Sequence, residues 1–353
     1  MRGHDVHVFT TNVDGKKNSH VPLGEMVDID GVKVWYFDCP RWRRLYRSPA
    51  MKQALQKRAV SFDVIHVHSV FLWPTWIAAG CARRADVPYV IAPRGMLVGE
   101  LIREKSKIIK KLSIAFFDRR VLKAAAAIHF TTEREKIDCS ALGINVSRGV
   151  VVPNGLDIGE IPKDVRNNRQ KDKTKPYILY FGRINWKKGI DRLLGAMQFL
   201  PEACVNIVGN DEEAYLPVLE SLARNLGIKN RVQFHGPAKS EKKWEWIAGA
   251  SVLVLPSRSE NFGNVVLEAM AVGVPVVVTP EVGLADTVKR SGAGIVADGN
   301  PEAIAAAIKE IIYDSEKAHS MSDAGCSTVE TKYTWDNVAR QMEEVYQNID
   351  RGQ

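Results

Sequence analysis

The feature that most constrains this chain is a rhythm: a short apolar, β-rich run, a loop, then a stretch with helical periodicity, repeated along its length. In the first half the pattern predicts strands near residues 6–10, 32–37, 64–68, 89–92, 127–130 and 149–152. In the second half it predicts them near 177–181, 205–208, 232–234, 252–255, 275–278 and 294–296. Runs such as VLVL and PVVV are apolar throughout, as parallel strands covered on both faces require. Alternation with helices implies βα units and an α/β architecture of two doubly wound, Rossmann-like sheets. Ligands of such sheets bind beyond the carboxyl ends of the strands. A chain of 353 residues is long enough for two separate cores.

The same rhythm divides the chain. Residues 1–158 read as a first domain and 177–335 as a second. The polar stretch 159–176 between them reads as a linker, and 336–353 carries a final helical segment that can pack back on the first domain. The start is abrupt. Met1-Arg-Gly-His-Asp resembles a helix end with its glycine stop. A doubly wound domain ordinarily opens with a strand, a glycine-rich turn and a helix. The reading therefore expects the first strand and Gly-rich loop of domain 1 to be missing.

Charge and cysteine content narrow the function classes. Residues 1–158 hold 25 Lys+Arg against 15 Asp+Glu, and residues 159–353 hold 24 against 26. A basic first half suggests an anionic partner there. Two segments concentrate the basic charge, PRWRRLYR at 40–47 and the lysine-rich stretch 102–123, each interleaved with apolar or aromatic residues. They suit peripheral contact with anionic lipid or a polyprenyl diphosphate, although solvated helix faces explain them equally well. No nucleic-acid motif accompanies them. Five scattered cysteines form no metal-ligand pattern and fit reduced thiols. No apolar run is long enough to cross a bilayer, and no charged segment followed by an apolar one opens the chain. The expectation is a cytoplasmic protein, peripheral on the inner face of the plasma membrane.

Chemistry-bearing residues cluster at predicted strand ends in the second half. After the strand at 177–181 come Gly182, Arg183 and, five residues on, Lys188. Cations just past a strand end suit a diphosphate, Arg as a fork and Lys as a point charge. After the strand at 252–255 comes a loop with Glu260, then Asn261-Phe262-Gly263 leading into a helix of good formers that carries Glu268. The amides of Gly263, Asn264 and Val265 would open that helix and offer an anion site. Two carboxylates there can grip hydroxyls of a sugar and a ribose. Gly209 and Gly236 end two further strands and allow close approach of a flat base or ribose. His235 reads as a turn residue. His66 and His68 alternate on one strand and share a face. Asp28-Ile29-Asp30 invites a metal-binding reading, but a hairpin with an Asp-Gly turn is simpler. No metal is expected, because Arg183, Lys188 and a helix N-terminus already answer an anion.

The ordered set GR…KG, VNIVGN, VQFHG and PSRSENFGNVVLEAMAVGVPVV resembles the donor domain of the large retaining glycosyltransferase family 4. RGHDVHVFTT, FDVIHVHSVF, VPYVIAPRGML and VVPNGLD add weaker echoes of members that build exopolysaccharide or lipid-linked glycans. The resemblance implies a GT-B fold, two domains facing across a cleft. It implies that Arg183 and Lys188 hold a donor diphosphate and that Glu260 meets sugar hydroxyls. Phe262, Gly263, Asn264 and Val265 would contact sugar and phosphate, and Glu268 the ribose. His68, Arg94 and Gly95 would line the cleft, with Arg94 standing where many members carry a histidine. The implied reaction moves a sugar, with retention, from a UDP- or GDP-linked donor to a glycan or polyprenyl-diphosphate-linked acceptor, without a cofactor. An inactive remnant that binds nucleotide sugar is the competing reading, and a sugar-nucleotide epimerase a third.

Overall fold

The computed structural model describes residues 2–97, 119–167 and 177–350. The chain divides into two compact units. One comprises 1–130, 135–151 and 343–353, and the other 131–134 and 152–342.

The second unit contains a six-stranded, all-parallel sheet: β10 (Tyr177–Phe181), β11 (Cys204–Val208), β12 (Val232–His235), β13 (Val252–Leu255), β14 (Val276–Val278) and β15 (Gly294–Val296). Its order is β12-β11-β10-β13-β14-β15. The chain starts in the middle, winds outward on one side, returns and winds outward on the other, which is the doubly wound order. β13 and β14 are buried at every position, so their apolar runs have no polar face to show. The helices that cover them follow from equally plain signals. The helix Pro301–Ile312 has proline at its start and Asn300 as cap, its side chain accepting from Ala303 N–H at 2.8 Å. It buries Ile304, Ala305, Ile308 and Ile311, the 3–4 spacing of one helical face. Each buried isoleucine contributes roughly 1.5–3 kcal/mol, so a single Ile308→Asp would unseat the helix.

The first unit carries β1 (His7–Thr11), β2 (Val13–Asp14), β3 (Lys17–Asn18), β4 (Met26–Ile29), β5 (Val32–Phe37), β6 (Ile65–His68), β7 (Tyr89–Ala92), β8 (Ala127–Phe130) and β9 (Gly149–Val151). They form two main sheets where one was expected: β1-β5-β4 and the parallel β6-β7-β8-β9. Among the described residues no ladder joins β1 to β6. Side chains join them instead: Phe9 and Trp35 of one sheet and Ile65 of the other pack on a cluster that includes Phe37, Met51, Leu55 and Cys81. β2 and β3 form a separate two-residue ribbon.

Elsewhere one strand was missed, and one expected hairpin is present. β4 escaped the sequence reading because its pattern is almost wholly exposed and gives no alternation. The Asp28–Asp30 triplet lies at the β4–β5 hairpin, where Asp30 and Gly31 take φ of 52° and 81° and the Asp28 carboxylate accepts from Gly31 N–H at 2.9 Å. The stretch read as a linker opens with a turn at Ile158–Glu160 and a helix at Lys163–Asn167, both counted with the second unit. Most of the basic segment 102–123 lies outside the described residues; its end forms the helix Arg119–Ala124.

Candidate active site

β10 and β13 are neighbours in the second unit's sheet, and the winding reverses between them. The loops leaving these two strands therefore flank the crevice where ligands of such sheets bind. Lys188 lies in the loop after β10 and Glu260 in the loop after β13, and their side chains form an ion pair. Their side chains are 14% and 18% exposed, so the pair is half sheltered from solvent screening.

The backbone explains how the two loops come so close. Gly189 ends the turn Trp186–Lys188 with φ 65°, and a Cβ there would lie 2.0 Å from Pro256 O. Only glycine permits both the left-handed conformation and the approach. On the other side, Glu260 N–H donates to Glu281 O at 3.1 Å and Gly283 N–H donates to Glu260 O at 2.9 Å. This fixes the Glu260 loop along the segment that follows β14. Of the buried side-chain polar atoms without a hydrogen-bond partner among the described residues, Asn185 Oδ1, Ser257 Oγ and Glu281 Oε2 belong to the loops around this pair. Such atoms are rare in folded proteins, and water or a bound group can satisfy them.

The helix after Glu260 is Asn264–Ala271, with Gly263 at its N-cap in the left-handed region, φ 94°. By helix geometry the amides of its first turn have no intrahelical partner. Val266 N–H is already given to Gly263 O at 2.9 Å, which leaves Asn264 and Val265 nearest the opening. Phe262 is buried in the core, and its carbonyl accepts from Leu284 N–H at 3.2 Å, so its side chain anchors the loop. Asn264 Oδ1 accepts from Asn154 Nδ2 at 3.1 Å, and Asn261 Nδ2 donates to Thr131 Oγ1 at 2.9 Å.

Other predicted residues are placed differently from one another. Glu268 is not free: Lys243 Nζ donates to it at 3.2 Å. Arg183 is exposed and only loosely paired with Glu212, at 3.7 Å. Gly182 and Gly209 face each other at the ends of β10 and β11, where a Cβ on Gly209 would lie 1.8 Å from Gly182 O. Gly236 has open space around its Cβ direction. His235 bonds Asn206 Oδ1 at 3.0 Å and its ring lies 4.5 Å from Trp246, a structural setting. Burial raises the phenol pKa of Tyr180, whose hydroxyl donates to Arg183 O at 2.7 Å and so holds the backbone beneath the cations.

The first unit gathers a second group of residues at the ends of β6 and β7. His66 and His68 stack with ring centres 4.5 Å apart. Arg94 Nε donates to His68 Nδ1 at 3.2 Å, and Gly95 N–H donates to Glu135 Oε1 at 2.6 Å. His66 also meets His129 at 3.3 Å and the Tyr346 hydroxyl at 2.7 Å. Ser69, Phe71 and Arg94 all take positive φ, at 75°, 64° and 54°. Non-glycine residues held so are strained and cluster at functional sites. His129, Glu135 and Tyr346 carried no motif and only the fold brings them here; Lys243 and Asp191 were missed for the same reason, and Arg258, inside the motif at 256–278, was passed over because its partner Asp191 lies 67 residues away in the chain.

A doubly wound sheet with a lysine–carboxylate pair and a helix N-terminus at its switch point defines an α/β fold of the kind whose ligands sit beyond the strand ends. The comparisons give the class its family. The profile described as "Glycosyl transferases group 1" matches residues 163–327, and "Glycosyl transferase 4-like domain" matches 1–155. A D-inositol 3-phosphate glycosyltransferase of Streptomyces griseus is 33% identical, over 97% of this chain and 80% of its own. A second protein of that name, from Xylanimonas cellulosilytica, is 27% identical over 98% of this chain and 87% of its own. The chain belongs to the family 4-like glycosyltransferases. Its fold is GT-B. A sucrose-phosphate synthase from Thermosynechococcus elongatus superposes with a TM-score of 0.78 at 21% identity, covering 99% of this chain and 90% of that one. The Anabaena protein HepE, solved with UDP-glucose, gives 0.71 at 20% identity, covering 91% and 86%.

Proposed function

We propose that this glycosyltransferase moves a sugar, with retention and without a divalent metal, from a nucleotide diphosphate sugar to a glycan or polyprenyl-diphosphate-linked acceptor in cell-surface polysaccharide synthesis. The observation that carries the reading is the Lys188–Glu260 pair at the switch point, beside the N-terminus of Asn264–Ala271. In the free protein each charge neutralises the other. A donor would part them, its diphosphate taking Lys188 and its sugar hydroxyls taking Glu260. Lys188, the helix amides and Arg183 then stabilise the charge that grows on the departing nucleoside diphosphate. Glu268, already oriented by Lys243, accepts from the ribose. No side chain is assigned as nucleophile, and catalysis rests on positioning and charge stabilisation.

The membrane part of the proposal rests on residues 40–47. Trp42 is 68% exposed, with the Arg47 guanidinium 5.9 Å from its ring centre. Arg43 is tied to the carbonyls of Gly15 and Lys17 at 3.2 and 2.7 Å, which fixes the loop. Trp42 and Tyr46 are both in the left-handed region, a conformation that aromatic residues rarely take. A pinned, basic, aromatic loop suits an anionic headgroup layer. No helix among the described residues is long and apolar enough to cross a membrane.

The test is titration of the full chain with UDP and GDP, followed by hydrolysis and transfer assays with UDP- and GDP-sugars in EDTA and in manganese. Nucleotide binding with EDTA-insensitive turnover supports the proposal. Binding without turnover supports the remnant reading, and activity lost in EDTA and restored by manganese overturns the metal-free mechanism.

A further inference from the structure

Resting on the diphosphate-site reading above, we infer that Arg258 is a positioning residue that holds Lys188 in place for the donor. Its guanidinium gives a two-pronged bond to Asp191, Nη1 to Oδ1 at 2.7 Å and Nη2 to Oδ2 at 2.6 Å. Nη1 also donates to Trp186 O at 3.1 Å, and the Arg258 backbone N–H donates to Lys187 O at 2.7 Å. These bonds fall on the residues around Lys188: Trp186 and Lys187 before it, Asp191 after it. Arg258 itself stands two residues before Glu260. One side chain thus stitches the loop that carries the cation to the loop that carries the carboxylate.

The contact continues below it. Arg192 Nη1 donates to Pro256 O at 3.3 Å, and Gly189 presses against the same carbonyl. Asp191 lies in the first turn of the helix Ile190–Ala196, so the clamp is anchored to an element that packs on the sheet. The bond to Asp191 raises the Arg258 pKa further, which keeps the fork charged. The pair is about a third exposed, at 32% and 28%, and such pairs stabilise a fold weakly. Its use is geometric. Arg supplies several donors in a fixed plane and serves two acceptors on separate segments, which a lysine ammonium cannot reproduce with the same directions.

The experiment compares full chains carrying Lys188→Ala, Arg258→Ala, Arg258→Lys, Asp191→Asn and the double Lys188→Ala/Arg258→Ala, measuring affinity for UDP, GDP and the free nucleosides, and melting. Arg258→Ala and Asp191→Asn should weaken the diphosphate on the order of tenfold while leaving the nucleoside unchanged. Arg258→Lys should restore only part. The double variant should bind no worse than Lys188→Ala alone, because Arg258 acts through that lysine. Equal weakening of nucleotide and nucleoside, additive losses, or unchanged diphosphate affinity in Arg258→Ala with Lys188→Ala impaired would each overturn the inference. Failure of the unaltered chain to bind UDP or GDP would overturn the site reading, and this inference with it.

Discussion

Lys188 and Arg183 follow the same strand, yet their surroundings give them different weight. Lys188 is sheltered and paired, whereas Arg183 is 62% exposed. A charge-assisted hydrogen bond in a sheltered site is worth about 1.5–3 kcal/mol, and an exposed pair typically below about 1 kcal/mol. Lys188→Ala should therefore weaken UDP or GDP roughly 10- to 150-fold, and Arg183→Ala by less than about fivefold. Isothermal titration of both variants checks the ranking; equal losses would contradict it. The sequence picked out both cations but could not rank them, because burial is set by chain segments far apart. For the same reason it missed that Glu268 is claimed by Lys243, 25 residues earlier.

His66 yields a prediction in pH. Burial above all, then the facing charges of His68, His129 and Arg94, push its pKa from 6.5 down to about 2. The unfolded chain takes up a proton near pH 6.5 that the folded chain refuses until about pH 2. Stability contributed by neutral His66 is thus present above pH 6.5 and lost as pH falls through that window. The slope approaches about 1.4 kcal/mol per pH unit. Melting followed between pH 7.5 and 5 should fall less steeply for His66→Gln than for the unaltered chain, and parallel slopes would refute this.

Among elements, the helix Asn264–Ala271 shows how local sequence and packing combine. Its composition, NVVLEAMA closed by Val272-Gly273, was legible as a helix. What composition does not show is why Gly263 precedes it. At φ 94°, with a Cβ that would meet Val282 and Leu255 at 3.2 and 3.3 Å, this is a tight, left-handed N-cap. Gly263→Ala should cost about 1–2 kcal/mol from the backbone alone and turn the first amides away from the opening. A lowered melting temperature with weakened UDP or GDP is the expected outcome. Unchanged affinity would mean that the helix N-terminus does not face the nucleotide. The opposite case is β4, a strand without a buried face, which leaves no mark in the sequence.

For the whole molecule, the charge division motivates a test of the proposed membrane attachment. The full chain should sediment with anionic vesicles, weaken as salt shortens the Debye length from about 10 Å at 0.1 M, and ignore neutral vesicles. Trp42→Ser should reduce the binding at constant charge, since exposed Trp42 supplies the apolar part. Equal sedimentation with both vesicle types would exclude an electrostatic anchor.

By itself the sequence determined the strands of the second unit and their order along the chain. Short apolar runs rich in β-branched residues and bounded by turn signals favour strands, and the 3–4 spacings between them favour covering helices, so β10 to β15 stand within a residue or two of where the pattern puts them. It also fixed which strand ends carry charge. Tertiary structure alone decided the strand order that makes β10 and β13 neighbours, and with it the meeting of Lys188 with Glu260 across 72 residues of chain. It decided that the strands before residue 152 lie in two main sheets joined by side chains. It also brought His66, His129 and Tyr346 together. The reason is one of range: propensity and periodicity act over a turn or a strand, while contacts between distant segments depend on which faces are left to bury once those elements exist.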